Sequence, residues 1–149
     1  MKLLCSACLL GVCCRYDAKG KPSAKVTALL ERHDLIPVCP EQLGGLSTPR
    51  PPCEIRGGNV FSREGEDRTE AFQRGAEESL RLCHLFNCRA AILKSRSPSC
   101  GKGLIYDGTF SGTLISGNGL LAQMLIDEGL RYLRRRMLFR SYEPGLVRD

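Results

Sequence analysis

Three short apolar runs, Leu3–Cys5, Leu35–Val38 and Ala90–Leu93, are separated by stretches whose apolar residues recur at helical spacing. This alternation constrains the fold more than any other feature, because short, continuously apolar strands belong in sheets covered on both faces. The first intervening helix is expected to start at Ser23, an N-cap that follows the turn Gly20-Lys21-Pro22. Its apolar face is Val26, Leu29 and Leu30, and it ends near His33-Asp34. The second and longest helix opens on a capping-box-like Asp67 and Glu70. It runs through Phe72, Ala76, Leu80 and Leu82–Leu85 and stops at Asn87. Asn118 is expected to cap a last helix carrying Leu120, Leu121, Met124, Leu125 and Ile126, with Gly129 ending it and Leu130, Tyr132 and Leu133 forming a further strand. Strands alternating with helices imply right-handed crossovers. The predicted fold is therefore α/β: a single compact domain over residues 1–133, with a mostly parallel sheet of about four strands and helices on both faces. A basic tail, 134–149, follows it.

With 149 residues, 42% of them hydrophobic, the chain is long enough for one core and too ordinary in composition for a disordered or fibrous protein. Its apolar runs fall well short of the ~20 residues needed to cross a bilayer. The start, Met1-Lys2-Leu3-Leu4, passes into Cys and Ser too soon for an export signal, so a cytoplasmic location is expected. From Gly44 to Gly65 the chain is rich in Gly, Pro, Ser and Arg, and reads as a long irregular loop with polyproline-like and short extended pieces. Loops of this length in small domains are usually functional. Leu104-Ile105-Tyr106, followed by Asp107-Gly108, reads as a hairpin arm covering the site.

Nine cysteines are too many for chance and too odd in number to pair completely. In a reducing compartment they point to metal binding or thiolate chemistry rather than to a disulfide framework. Cys8, Cys39 and Cys100 each lie in the loop beyond a predicted strand. Ligands of parallel sheets bind outside the carboxyl ends of the strands, so these three thiols can converge on one crevice. An iron-sulfur cube held by three thiolates keeps one iron open, and an open, sulfur-seeking iron polarises a thiocarbonyl for attack by water. Glu41, two residues from Cys39, is placed to act as base for that water, and Ser97 and Ser99 can orient substrate or pass a proton. Cys5-Ser6-Ala7-Cys8 with Cys13-Cys14 also reads as half of a zinc site, although no second paired knuckle follows. Cys83 and Cys88 read as packing residues, and His33 and His84 as helix C-terminal charges.

Several separated motifs occur in order: Ser6-Ala7-Cys8-Leu9-Leu10-Gly11, Arg15-Tyr16-Asp17, Pro37-Val38-Cys39-Pro40-Glu41, Gly44-Gly45-Leu46, Thr48-Pro49-Arg50-Pro51-Pro52 and Ser95-Arg96-Ser97-Pro98-Ser99-Cys100-Gly101. Together they resemble the thiouracil desulfidase-like (TudS) family over about Leu4 to Gly129. The resemblance implies a [4Fe-4S] cluster on Cys8, Cys39 and Cys100, and a non-redox desulfuration of a thiolated nucleobase or similar small thiocarbonyl that releases hydrogen sulfide. Glu41 and Ser97 inherit the catalytic roles.

The formal charge of +6 is concentrated at the end of the chain, where residues 131–149 contribute +4. The Arg134-Arg135-Arg136 run therefore supports an alternative reading, an RNA- or nucleotide-binding module with structural cysteines or a zinc site. Arg15, Arg50 and Arg96 fall inside the motifs and are expected to line the pocket.

Overall fold

The computed structural model describes residues 1–132. Four strands form one parallel sheet in the order β2-β1-β5-β8: β1 Lys2–Ser6, β2 Asp34–Val38, β5 Ala90–Ile92 and β8 Arg131–Tyr132. The predicted parallel α/β sheet is thus present. Leu133, expected to extend the last strand, and the basic tail lie outside the described residues.

Alternation along the strands divides the core. Leu4, Val38 and Ala91 face Ala76 and Cys83 of α3 (Thr69–Leu85) and Leu121, Ala122 and Leu125 of α4 (Leu120–Asp127). Leu3, Cys5, Leu35, Ala90 and Ile92 face the opposite way, onto Leu9 and onto Val26 of α1 (Ala24–Thr27). Both faces are covered, as parallel sheets require. Cys83 and Cys88 sit in the first of these cores as packing residues.

Several helix boundaries follow local chemistry that the sequence pattern did not reveal. Ser23 caps α1 as expected, accepting the Val26 N–H, but the α-helix gives way after one turn to a 3-10 turn, Ala28–Glu31, and Leu30 faces solvent. The capping box at Asp67 and Glu70 does not form. Arg68 stands at the N-cap of α3, Asp67 accepts from Thr69 and not from the N-cap side of a box, and Glu70 pairs with Arg74 instead. Asn87 does end the helix region in a left-handed conformation, φ +51°, with Cys88 N–H returning to the Cys83 carbonyl. Gly119, not Asn118, is the N-cap of α4, because the Asn118 side chain is engaged by the Gly103 N–H and by Gln123.

The Pro/Gly-rich stretch contains more order than expected. Within it, β3 (Cys53–Arg56) and β4 (Asn59–Ser62) pair antiparallel around Gly57-Gly58, whose φ values of +59° and +82° suit a tight primed turn. The hairpin is anchored by Cys53 and Val60 against Phe72 of α3. A second hairpin, β6 (Leu104–Tyr106) with β7 (Leu114–Ser116), forms the expected covering arm. Between β2 and the first hairpin, α2 (Pro40–Leu43) lies directly on α3. A Cβ on Gly75 would fall 1.7 Å from the Pro40 carbonyl oxygen, and one on Gly44 2.0 Å from that of Ala71. Among the described residues, no helix is long and apolar enough to cross a membrane.

Candidate active site

β1 lies between β2 and β5, so the strand order reverses beside it, and the crevice at such a switch point is where doubly wound sheets bind ligands. A cavity of about 600 Å³ occupies that position. Cys8 reaches it from the 3-10 turn Ala7–Leu10 after β1, Cys39 from the N-cap of α2 after β2, and Cys100 from the loop after β5. Glu41, Ser97, Ser99, Arg15, Arg50 and Arg96 line the same space. The loop carrying Cys100 is fixed to the start of α4, since the Pro98 and Ser99 carbonyls accept the Leu120 and Leu121 N–H groups at 3.0 and 2.9 Å. These bonds satisfy helix-start donors that Asn118 leaves unmet.

The thiols are not equivalent. Cys14, buried beside the first motif, hydrogen-bonds to both Cys8 and Cys39. Its donated bond holds the Cys39 thiol down at about 6 and lowers that of Cys8, while its own thiol is pushed far up by the same bonds. Burial pushes Cys100 up to about 12, against hydrogen bonds from Ser6 and Ser99. Cys53, also on the cavity wall, is pushed up to about 11 by burial.

The half-zinc reading does not survive this geometry. Cys5 is buried in the sheet core and Cys13 is exposed, so only Cys8 and Cys14 of that group face the cavity. Among the described residues, no three His, Cys, Asp or Glu side chains gather closely enough to hold one metal ion. Thiolates around a single zinc, bonded at ~2.3 Å, would lie within about 4 Å of one another. Here Cys8 and Cys39 are bridged by the thiol of Cys14, and all three candidate ligands border a space much larger than one ion. Soft sulfur donors around such a space fit a sulfide-bridged cluster.

Glu41 is held at both oxygens. Oε1 accepts from Arg50 Nε at 3.0 Å, and Oε2 accepts from the Ser99 hydroxyl at 3.3 Å. Arg50 is itself buried and also donates to the Cys14 and Ser47 carbonyls, at 2.9 and 3.2 Å, and to the Thr48 hydroxyl at 3.0 Å. One guanidinium thus ties the Cys14 loop, the proline-rich loop and the carboxylate together. Ser97 Oγ accepts the N–H groups of Ser99 and Cys100, each at 3.1 Å, and lies 2.9 Å from Ser99 Oγ. With its acceptor positions taken, Ser97 donates to Ser99, whose proton is shared between Glu41 and the Cys100 sulfur, 3.6 Å away. A directed chain, Ser97 to Ser99 to Glu41, results. Ser99 is 1% exposed and forms the inner link, a place that Ser-Pro-Ser turn chemistry alone did not distinguish. Cys14 was equally hidden in the sequence, where it looked like one half of an adjacent cysteine pair.

The 2-thiouracil desulfurase family profile matches residues 3–136. The uncharacterized protein YbbK of Bacillus subtilis is 41% identical over 146 residues, covering 91% of this chain and 97% of that protein. A solved structure described as the [4Fe-4S]-dependent thiouracil desulfidase TudS is 44% identical and superposes with a TM-score of 0.83 over 88% of each chain. The match spans the whole cavity and every motif that lines it, and the chain belongs to the 2-thiouracil desulfurase family.

Proposed function

We propose that this chain is a [4Fe-4S]-dependent desulfidase that replaces the sulfur of a thiolated nucleobase, or a similar small thiocarbonyl, by oxygen from water and releases hydrogen sulfide. The observation that carries this reading is the Ser97–Ser99–Glu41 chain ending beside Cys100 in a cavity that Cys8 and Cys39 also line. Cys8, Cys39 and Cys100 would hold the cluster, which with three protein ligands supplies one open iron as a Lewis acid toward a thiocarbonyl sulfur.

The remaining work belongs to the chain's own groups. Glu41 accepts a proton from the water whose oxygen bonds to the sulfur-bearing carbon. Arg50 fixes the carboxylate so that Oε2 stays turned to Ser99. The proton can then move through Ser99 to Ser97, which stands half-buried at the cavity end of the chain and returns it to the departing sulfur. The carbon–sulfur bond breaks, both protons of the water end on sulfur, and no electron is gained or lost. Reduced thiols and a cluster of this kind suit a cytoplasmic setting.

Anaerobic reconstitution with iron and sulfide, followed by incubation with 2-thiouracil and 4-thiouracil, tests the proposal. Sulfide release with stoichiometric formation of the oxygenated base is expected. A fully loaded protein that released no sulfide from any thiolated base would refute it.

A further inference from the structure

The cavity has a roof, and a buried carboxylate holds it. Glu54, on β3, is 9% exposed and makes no ion pair among the described residues. Its charge is met instead by two backbone donors: Oε1 accepts the N–H of Gly108 and that of Phe110, each at 3.1 Å. Both belong to the loop joining β6 to β7; the last residue of β6, Tyr106, and the loop residues Phe110 and Gly112 line the cavity. Two independent features show that this loop sits on β3 by design of the sequence. A Cβ on Gly108, at φ +92°, would come within 2.6 Å of the Arg56 Cβ and 2.7 Å of the Ile55 carbonyl oxygen, so only glycine permits the approach. Phe110 adopts φ +56°, a left-handed conformation rare for a bulky residue, which persists where its surroundings over-determine it. Its ring is backed by the Arg63 guanidinium, 5.6 Å from the centroid.

We infer that Glu54 is a positioning residue for substrate, fixing Phe110 and Tyr106 as the aromatic wall against which a planar thiocarbonyl ring is held. The identity of that ring rests on the function proposed above; the clasp does not. Charge-assisted bonds from a buried carboxylate to backbone N–H groups are among the stronger hydrogen bonds, so their removal should loosen the loop locally.

The test uses hydrogen exchange and steady-state kinetics on the full-length chain. In Glu54→Ala, the Gly108 and Phe110 amides should exchange at least about tenfold faster, while amides of β1 keep their wild-type rates. The KM for 2-thiouracil should rise about tenfold with kcat little changed, the pattern of lost binding rather than lost chemistry. Glu54→Gln keeps an acceptor oxygen and should restore most of the protection and most of the KM. If Glu54→Ala does not fold, Glu54→Asp, which withdraws the carboxylate by one methylene, carries the same comparison. Unchanged exchange at Gly108 and Phe110 would overturn the clasp, and faster exchange with an unchanged KM would overturn its role in binding. A wild-type chain inactive on thiolated bases, with the exchange difference intact, would overturn the proposed function and leave the clasp standing.

Discussion

At the scale of single residues, the site separates groups by what surrounds them. Glu41, the proposed base, lines the cavity while Arg50 and Ser99 fix its two oxygens. Glu41→Gln keeps the shape and removes the proton acceptor. We expect kcat to fall ~10²–10⁴-fold with iron content unchanged, measured on the reconstituted protein, since that is the usual contribution of general-base catalysis. Near-normal turnover would assign the base elsewhere. Cys39 provides a second check, independent of turnover. Its thiol is held down at about 6, chiefly by the Cys14 hydrogen bond, so in metal-free protein the reactive thiolate should predominate above that pH and be lost below it. Alkylation of Cys39, followed by peptide mapping, should titrate near pH 6 and shift upward in Cys14→Ala. A midpoint unmoved by that substitution would show that Cys14 does not supply the bond. That Glu41 and the three thiols would meet at one cavity was legible from sequence because each follows a strand. Arg50 matters through bonds to residues 9 and 36 positions away, and Cys14 through its bond to Cys39 across a different loop, which no local pattern encodes.

At the scale of elements, the placement of Glu41 depends on α2 lying against the backbone of α3. Gly75 and Gly44 make this approach possible, because any side chain at either position meets a carbonyl oxygen at well under contact distance. Gly75→Ala would gain up to ~1 kcal/mol of helix propensity. It would also force α2 away, and overpacking of this kind typically costs about 1–3 kcal/mol or more. A net loss of stability is expected, read as a lower midpoint in urea with an unchanged m-value, together with weakened turnover as Glu41 moves. A stabilised variant would mean that α2 can shift freely. The same pair of glycines illustrates what the sequence withheld. Helices, strands and their order follow from apolar spacing, whereas the Cys53–Ser62 hairpin was concealed in a Pro- and Arg-rich stretch. Its one strong local signal was Gly57-Gly58 between Val60 and Ile55. Asn118 failed as a cap for a related reason: a distant backbone donor, Gly103, competes for its side chain.

At the scale of the whole molecule, the parallel sheet turns three cysteines far apart in sequence into one site. Strand order β2-β1-β5 puts the loops bearing Cys8, Cys39 and Cys100 side by side at the carboxyl edge, and the hairpins close the space above them. Of the remaining cysteines, Cys5, Cys83 and Cys88 pack in the two cores, Cys13 lies at the surface, and Cys14 and Cys53 border the cavity without being assigned as ligands. This division is the central claim, and iron content after anaerobic reconstitution tests it most directly. Cys8→Ser, Cys39→Ser and Cys100→Ser should each abolish stable cluster binding and the visible charge-transfer absorbance, whereas Cys83→Ser and Cys88→Ser should retain about four iron per chain. A full cluster in any of the first three, with loss in Cys83→Ser or Cys88→Ser, would contradict it.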